Sequence, residues 1–150
     1  SAFWKCESLL SITIPASVRE MKGNPFLGWN GELINKSPYF VYEEDILFNK
    51  AQNKIIAFRR QDATAYVIPG SVSYIGDSAF SGCSKLKSIT ISSKEISIGN
   101  MAFSWCESLE SISIPSSVPS VGFWPFCGCE SLSEEAKAEI IRRFGNHVFG

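Results

Sequence analysis

The chain has 150 residues, a length typical of a single domain, and 45% of them are hydrophobic, which is enough to build a buried core. It carries 14 basic and 15 acidic residues, for a formal net charge of -1. This balance argues against the concentrated positive surface of a nucleic-acid-binding protein and against a polybasic membrane anchor. No apolar run approaches the roughly 20 residues that span a bilayer, and no stretch has the pattern of a signal peptide, so we expect neither nucleic acid nor membrane insertion for this segment.

The chain opens with "SAFWKCESLLSITIP", and the same pattern returns as "SAFSGCSKLKSITIS" at residues 78–92 and "MAFSWCESLESISIP" at residues 101–115. The spacing from Phe3 to Phe26 is the same as that from Phe80 to Phe103 and from Phe103 to Phe126. Cysteine follows the phenylalanine at the third position, leucine at the sixth, and isoleucine at the ninth and eleventh; the cysteines are Cys6, Cys83, Cys106 and Cys129. Because each unit is too short to bury its own apolar edge, this repetition predicts a solenoid of stacked coils.

Each Ile-x-Ile pair alternates with a period of two, which predicts a short strand with one apolar face. Pro15 and Pro115 end two of these strands, since proline cannot donate to a sheet. A polar turn then leads into one helical or 3₁₀ turn that directs the phenylalanine inward. The outward residues are small and hydroxylic, and we favour cross-strand pairing over a partner platform for them; they are Ser11, Thr13, Ser88, Thr90, Ser111 and Ser113.

The segment between Phe26 and Phe80 is longer than two regular units would be. Trp29 occupies the cysteine position, and "ELIN" at residues 32–35 is a shortened strand. Residues 46–48 and 55–58 are β-prone and flank the polar "NKAQNK", which predicts a β-hairpin. We therefore interpret residues 26–79 as one elongated unit.

The last part of the chain, "SEEAKAEIIRRFG", predicts an amphipathic helix with Ser133 as N-cap and Gly145 at the C′ position. Acidic residues lie in the first turn and basic residues in the last one, as the helix dipole favours. One face is expected to combine Ala136, Ile140, Ile141 and Phe144. We interpret the helix as a terminal lid, and because no equivalent lid precedes residue 1, we expect further sequence upstream.

The segments "IPGSVSYIGDSAFSGCSKLKSITI" and "IGNMAFSWCESLESISIPSSV" resemble the BspA-like class of the leucine-rich repeat family, surface proteins of bacteria and protists. The resemblance runs from residue 1 to about 132. It implies a right-handed solenoid with a short parallel β-sheet on one face, loops and short helical turns on the other, and a C-terminal capping helix. We predict a single domain, 1–150, with units at about 2–25, 26–79, 80–102, 103–125, a partial unit at 126–132, and the helix at 133–145.

The sequence offers little for chemistry. The cysteines permit a disulfide ladder or a metal site, but we favour buried thiols, with Cys127 as the most reactive. His147 is the only histidine and lies in no motif. Residues 43–45, "EED", lack the alternating spacing of a calcium loop and fit a solvated hairpin edge better. We therefore expect no catalytic, cofactor or metal residues, and no enzyme.

The resemblance implies a non-catalytic protein-interaction or adhesion module of a cell-surface or secreted bacterial protein, with a host matrix protein, another surface protein or a glycan as partner. The alternative is a structural spacer in a longer surface protein, with binding elsewhere. Aromatic residues outside the repeat positions are our candidate contacts: Tyr39, Tyr42, Trp4 and Trp105. Exposure of these side chains would favour binding, and burial between coils would favour the spacer.

Overall fold

The structure, a computed structural model, describes residues 1–150. It is a β-solenoid with one α-helix near its C-terminus, and neither this helix nor the short 3₁₀ helix after it is long and apolar enough to cross a membrane. The elements are β1 Ser11–Ile14, β2 Glu32–Asn35, β3 Phe40–Glu43, β4 Ile46–Asn49, β5 Lys54–Phe58, β6 Ala65–Ile68, β7 Tyr74–Ile75, β8 Ser88–Ile91, β9 Ser97–Ile98, β10 Ser111–Ser113, α1 Glu134–Phe144 and the 3₁₀ helix Asn146–Phe149.

The repeated Ile-x-Ile segments form the predicted parallel strands. Strands β6, β8 and β10 make a three-stranded parallel sheet in which Ser88 pairs with Ser111, so neighbouring coils stack with the repeat's own offset. Strands β1 and β2 form a separate parallel pair. No strand pairing joins β2 to β6, so the sheet is interrupted where the long segment enters.

A second, mixed sheet has five strands in the order β3-β4-β5-β7-β9. Its β4–β5 hairpin was predicted, and it is antiparallel as expected. Strand β3 was not predicted. It joins β4 through a two-residue turn in which Glu44 and Asp45 have φ values of 48° and 61°, the left-handed pair that a type I′ hairpin turn requires.

Strands β3, β4 and β5 form a three-stranded meander, and its β4–β5 hairpin is buried on both faces and divides the apolar core. Leu47, Ile56 and Ala57 pack in a smaller cluster with residues of the first two coils. Ile46 and Ile55 belong to the larger cluster that runs through the remaining coils. Because both faces of the hairpin are covered, its strands are continuously apolar and do not alternate.

A column of phenylalanine rings runs through the stack. Successive ring centroids are 5.8 Å apart for Phe3 and Phe26, 4.7 Å for Phe58 and Phe80, 5.2 Å for Phe80 and Phe103, and 5.8 Å for Phe103 and Phe126. The segment interpreted as one elongated unit thus contributes Phe26 and Phe58 to this column. Each of these phenylalanines except Phe58, which ends strand β5, begins a hydrogen-bonded turn, such as that from Cys83 N to Phe80 O, which turns the side chain inward.

The helix α1 begins as predicted, with the Ser133 hydroxyl accepting from Ala136 N at 3.1 Å. Ile140 is buried and Ala136 and Phe144 pack on the core, but Ile141 is 41% exposed, so its assignment to the inner face was wrong. Its backbone position lies about 100° around the helix from Ile140, which takes it off that face. After the helix the chain rejoins the column, because the Phe149 and Phe126 rings are 6.2 Å apart.

Two arginines bond to main-chain carbonyls where parallel pairing is interrupted. Near β2, Arg59 donates to Gly31 O at 2.7 Å and to Trp29 O at 3.3 Å. After β10, the last strand of its sheet, Arg143 donates to Ile114 O at 2.8 Å and to Pro115 O at 2.6 Å. At both places a guanidinium group supplies donors to main-chain carbonyls near the end of a parallel strand pairing.

Candidate functional site

Three of the four cysteines at the repeat position are buried as predicted, whereas Cys6, in the first coil, is only half-buried. Cys83, Cys106 and Cys129 are buried and form no disulfide. Each thiol donates a hydrogen bond to the main-chain oxygen of a phenylalanine one coil earlier, with Sγ–O distances of 3.8, 3.2 and 3.1 Å respectively. Burial raises the pKa of Cys83 and of Cys129 to about 12, and it also raises the pKa of Cys106. These groups therefore stay protonated and are not nucleophiles, in agreement with the favoured interpretation.

The other candidates for chemistry do not assemble into a site. Glu44 forms an ion pair with Arg60 at 2.7 Å, and the Tyr42 hydroxyl donates to Asp45 Oδ1 at 3.3 Å, so these two carboxylates are bound by neighbouring side chains. No three histidine, cysteine or acidic side chains lie together as metal ligands. His147 is exposed on the 3₁₀ helix after α1.

Trp4 and Trp105 are half-exposed, and each indole is held on the main chain of the next coil. Trp4 lies over Gly28, and Trp105 lies over Gly128, where a Cβ would come within 2.6 Å of the indole. Both glycines are two residues after a column phenylalanine and have φ near 75°, a conformation that glycine adopts without strain. The two tryptophans are therefore packed against the main chain, remain partly exposed, and lie on the same edge of the solenoid.

Tyr39 and Tyr42 lie at β3, and their side chains are engaged within the chain. The Tyr42 hydroxyl accepts from Arg59 Nη1 at 2.9 Å, and burial raises the pKa of Tyr42 although Arg59 opposes this shift. The Tyr39 ring is 37% exposed and lies 5.5 Å from the guanidinium of Arg19. The four predicted contacts thus fall into two groups: tryptophans beside the phenylalanine column and tyrosines on the meander.

A cleft of about 320 Å³ opens on the phenylalanine edge, between the coils of Phe26 and Phe58. In intact coils the phenylalanine N–H donates to the next coil, as Phe58 N does to Ala79 O at 2.8 Å. Phe26 N instead donates to the Asn24 side chain at 3.0 Å, so this bond is missing at the cleft. Trp4, Phe26 and Trp29 line one side, and Phe58, Arg59 and residues 81–84 line the other.

Neither this cleft nor the role of Arg59 was predicted from the sequence. The guanidinium carbon of Arg59 lies 4.9 Å from the Trp29 ring centroid and 5.9 Å from that of Phe26. The available signal was the pair Ala57-Phe58, which repeats the Ala-Phe start of other units. Two further exposed aromatics, Phe123 at 71% and Trp124 at 50%, were also not proposed as contacts.

A family model described as "BspA type Leucine rich repeat region" matches residues 1–54 and 53–150, with six copies. A leucine-rich cell surface protein from Faecalibacterium prausnitzii has a similar structure, with a TM-score of 0.70 and 28% identity over 83% of this chain. A leucine-rich repeat protein from Eubacterium ventriosum has a TM-score of 0.73 and 26% identity over 84% of this chain. The pneumococcal vaccine antigen PcpA, 21% identical over 83% of this chain with a TM-score of 0.70, shares the fold.

The aligned part of each solved structure is a minority of its length. The alignment covers 35% of the Faecalibacterium and Eubacterium proteins and 38% of PcpA. No curated protein matches the chain. The similarity therefore concerns a repeat region, and the partners of the longer proteins do not transfer with it.

Proposed function

We propose that this chain, which belongs to the BspA-type leucine-rich repeat family, is a non-catalytic protein-interaction module of a cell-surface or secreted bacterial protein. The cell-surface description of the similar Faecalibacterium protein supports this location. Stacked repeats present an extended, rigid surface, which suits partner binding better than catalysis. The buried, protonated thiols and the scattered carboxylates offer no nucleophile with an adjacent base.

The proposal depends on how Trp4 and Trp105 pack against glycines. Each indole has one face on a glycine of the next coil and remains half-exposed, at 55% and 52% of its surface. An aromatic side chain that is already immobilised loses little conformational entropy when a partner covers it. Exposed, rigid tryptophans are typical of interface hot spots.

Binding to purified extracellular matrix proteins, bacterial surface proteins and a glycan array tests this function. We expect a saturable protein partner for the wild type and at least a tenfold weaker one for the Trp4→Ala/Trp105→Ala double variant, since hot-spot truncations cost about 2 kcal/mol or more. Val67→Ala, which removes an exposed aliphatic side chain on β6, is the matched control. Equal binding by all three proteins would refute the assignment of these contacts.

The tyrosines support the alternative, a structural spacer. Tyr42 is tied to Arg59 and Asp45 through its hydroxyl, and Tyr39 packs beside Arg19. The Tyr39→Ala/Tyr42→Ala variant separates the two functions. A loss of thermal stability with unchanged partner binding would place both tyrosines in the spacer role, whereas weaker binding at unchanged stability would return them to the contact surface.

A further inference from the structure

In three coils a glycine lies two residues after the column phenylalanine, and the side chain that covers the glycine differs between these coils. Gly28 lies under the indole of Trp4, and Gly128 lies under that of Trp105. Gly82 has the same left-handed backbone, with φ of 77°, but a Cβ built there would meet only Leu27 Cδ1, at 3.9 Å. Gly82 lines the cleft between the coils of Phe26 and Phe58. At Gly82 the cleft therefore leaves open a surface that an indole covers at Gly28 and Gly128.

The side-chain charge that lines this cleft is positive. Arg59 is the only charged side chain that lines it, and no carboxylate forms a salt bridge with Arg59. The nearby acids have other partners: Glu44 pairs with Arg60, Asp62 with Lys85, and Asp45 accepts from the Tyr42 hydroxyl, which itself accepts from Arg59 Nη1. The Nε of Arg59 is buried and has no hydrogen-bond partner. A half-buried guanidinium without an ion-pair partner favours a ligand that brings a carboxylate.

We propose that the cleft binds an aromatic side chain of a protein partner, seated on Gly82 as Trp105 is seated on Gly128, with a carboxylate of the same partner against Arg59. This rests on the proposed function as a protein-interaction module and names the chemistry of one contact. The volume, about 320 Å³, is at the small end of ligand pockets and suits a single side chain. Neutral polar residues at the cleft, Asn30, Gln61 and Ser84, add hydrogen-bond donors without adding charge.

N-acetyltryptophan, which carries both an indole and a carboxylate, is the probe for this site. Titrated into the ¹⁵N-labelled chain, it should shift the amide resonances of Gly82 and Gln61 saturably. N-acetyltryptophanamide, which lacks the carboxylate, should bind about tenfold more weakly, the loss of one charge-assisted hydrogen bond. N-acetylleucine and glucuronate, which lack the aromatic ring, should cause no saturable shift. No saturation with N-acetyltryptophan, equal binding of the amide, or an equal response to glucuronate would overturn the proposal.

The chain offers a variant that fills the cleft from within. Leu27 follows Phe26 as Trp4 follows Phe3, so Leu27→Trp should place an indole on Gly82. We expect this variant to lose N-acetyltryptophan binding and to keep or raise the melting temperature. Leu10→Trp, at a site that is 82% exposed and outside the cleft, should bind as the wild type does.

A second blocking variant covers the case in which Leu27→Trp does not fold. Gly82→Asn adds a side chain at the seat, and asparagine tolerates positive φ better than other residues. Lys5 and Trp105 hold the same repeat position with φ of 57° and 60°, so the fold accepts side chains there. Undiminished N-acetyltryptophan binding by a folded blocking variant would overturn the proposal. A protein partner that binds wild type and blocked variant equally would also overturn it, while leaving the proposed function intact.

Discussion

Replacing Phe103 with alanine should test the phenylalanine column at its centre. Phe103 is fully buried, and its ring lies 5.2 Å from that of Phe80 and 5.8 Å from that of Phe126. Rings on both sides prevent the site from collapsing, so the cost should be near the middle of the range for Phe→Ala, about 4 kcal/mol. That is a large share of the roughly 5–15 kcal/mol that typically stabilises a domain.

Urea unfolding followed by circular dichroism measures this loss. With a slope of about 2 kcal/mol per molar urea, typical for a chain of this size, the midpoint should fall by about 2 M. Phe123→Ala is the matched control, because Phe123 is 71% exposed and its truncation should leave the midpoint nearly unchanged. If the Phe103 variant unfolds within about 1 kcal/mol of the Phe123 variant, the stacked column is not what stabilises the solenoid.

Three further substitutions test single local interactions in the same unfolding assay: the bonds of Arg143 to carbonyls, the N-cap at Ser133, and the contact of Gly128 with Trp105. Arg143→Ala should cost about 2 kcal/mol, because Ile114 O loses its donor and Pro115 O keeps only the bond from Val118 N. Arg142→Ala, which breaks only an exposed ion pair, should leave the midpoint unchanged, and equal effects of the two variants would refute the capping role. Ser133→Ala should cost about 1 kcal/mol and Ser133→Asp should restore it, and no loss for alanine would contradict the N-cap. Gly128→Ala should cost more than about 1 kcal/mol, because its Cβ meets the Trp105 ring at positive φ, while Gly70→Ala, with open space, should be neutral.

The parts of the fold that repeat were accessible from the sequence. The constant offset between units located the strands β8 and β10, the buried cysteines and the phenylalanine rings, since every coil reuses the same positions. The hairpin and the helix cap followed from local turn and capping chemistry. These features depend on short-range patterns that a single chain displays.

The parts that break the repeat were not accessible. Phe58 and Phe80 are closer in sequence than the regular offset, so Phe58 escaped a search at a fixed spacing although its ring stacks on that of Phe80 at 4.7 Å. Phe149 keeps the offset from Phe126, but the helix pattern before it hid the return to the column. Strand β3 escaped prediction because Tyr39 and Tyr42 are amphipathic and suit an exposed loop equally well.

The cleft and Arg59 depend on contacts between distant segments. Arg59 reaches Gly31 and Tyr42 across the interrupted sheet, and nothing in the local sequence specifies these partners. The exposed aromatics were named as a class, yet only the structure distinguishes Trp4 and Trp105, which rest on glycines, from Tyr42, which is held by its hydroxyl. Long-range geometry of this kind is fixed by packing, which the repeat pattern does not encode.

Site-resolved alkylation of the native chain tests the stacked solenoid most directly. Burial raises the pKa of Cys83 and Cys129 from an ordinary value of 9.0 to about 12, which lowers their thiolate fraction at pH 8 roughly a thousandfold. With N-ethylmaleimide at pH 8 and mass spectrometry of the peptides, we expect modification at the half-exposed Cys6 and Cys127 within minutes. Cys83, Cys106 and Cys129 should react only after unfolding. Native modification of these three at the rate of Cys127 would contradict the stacked core.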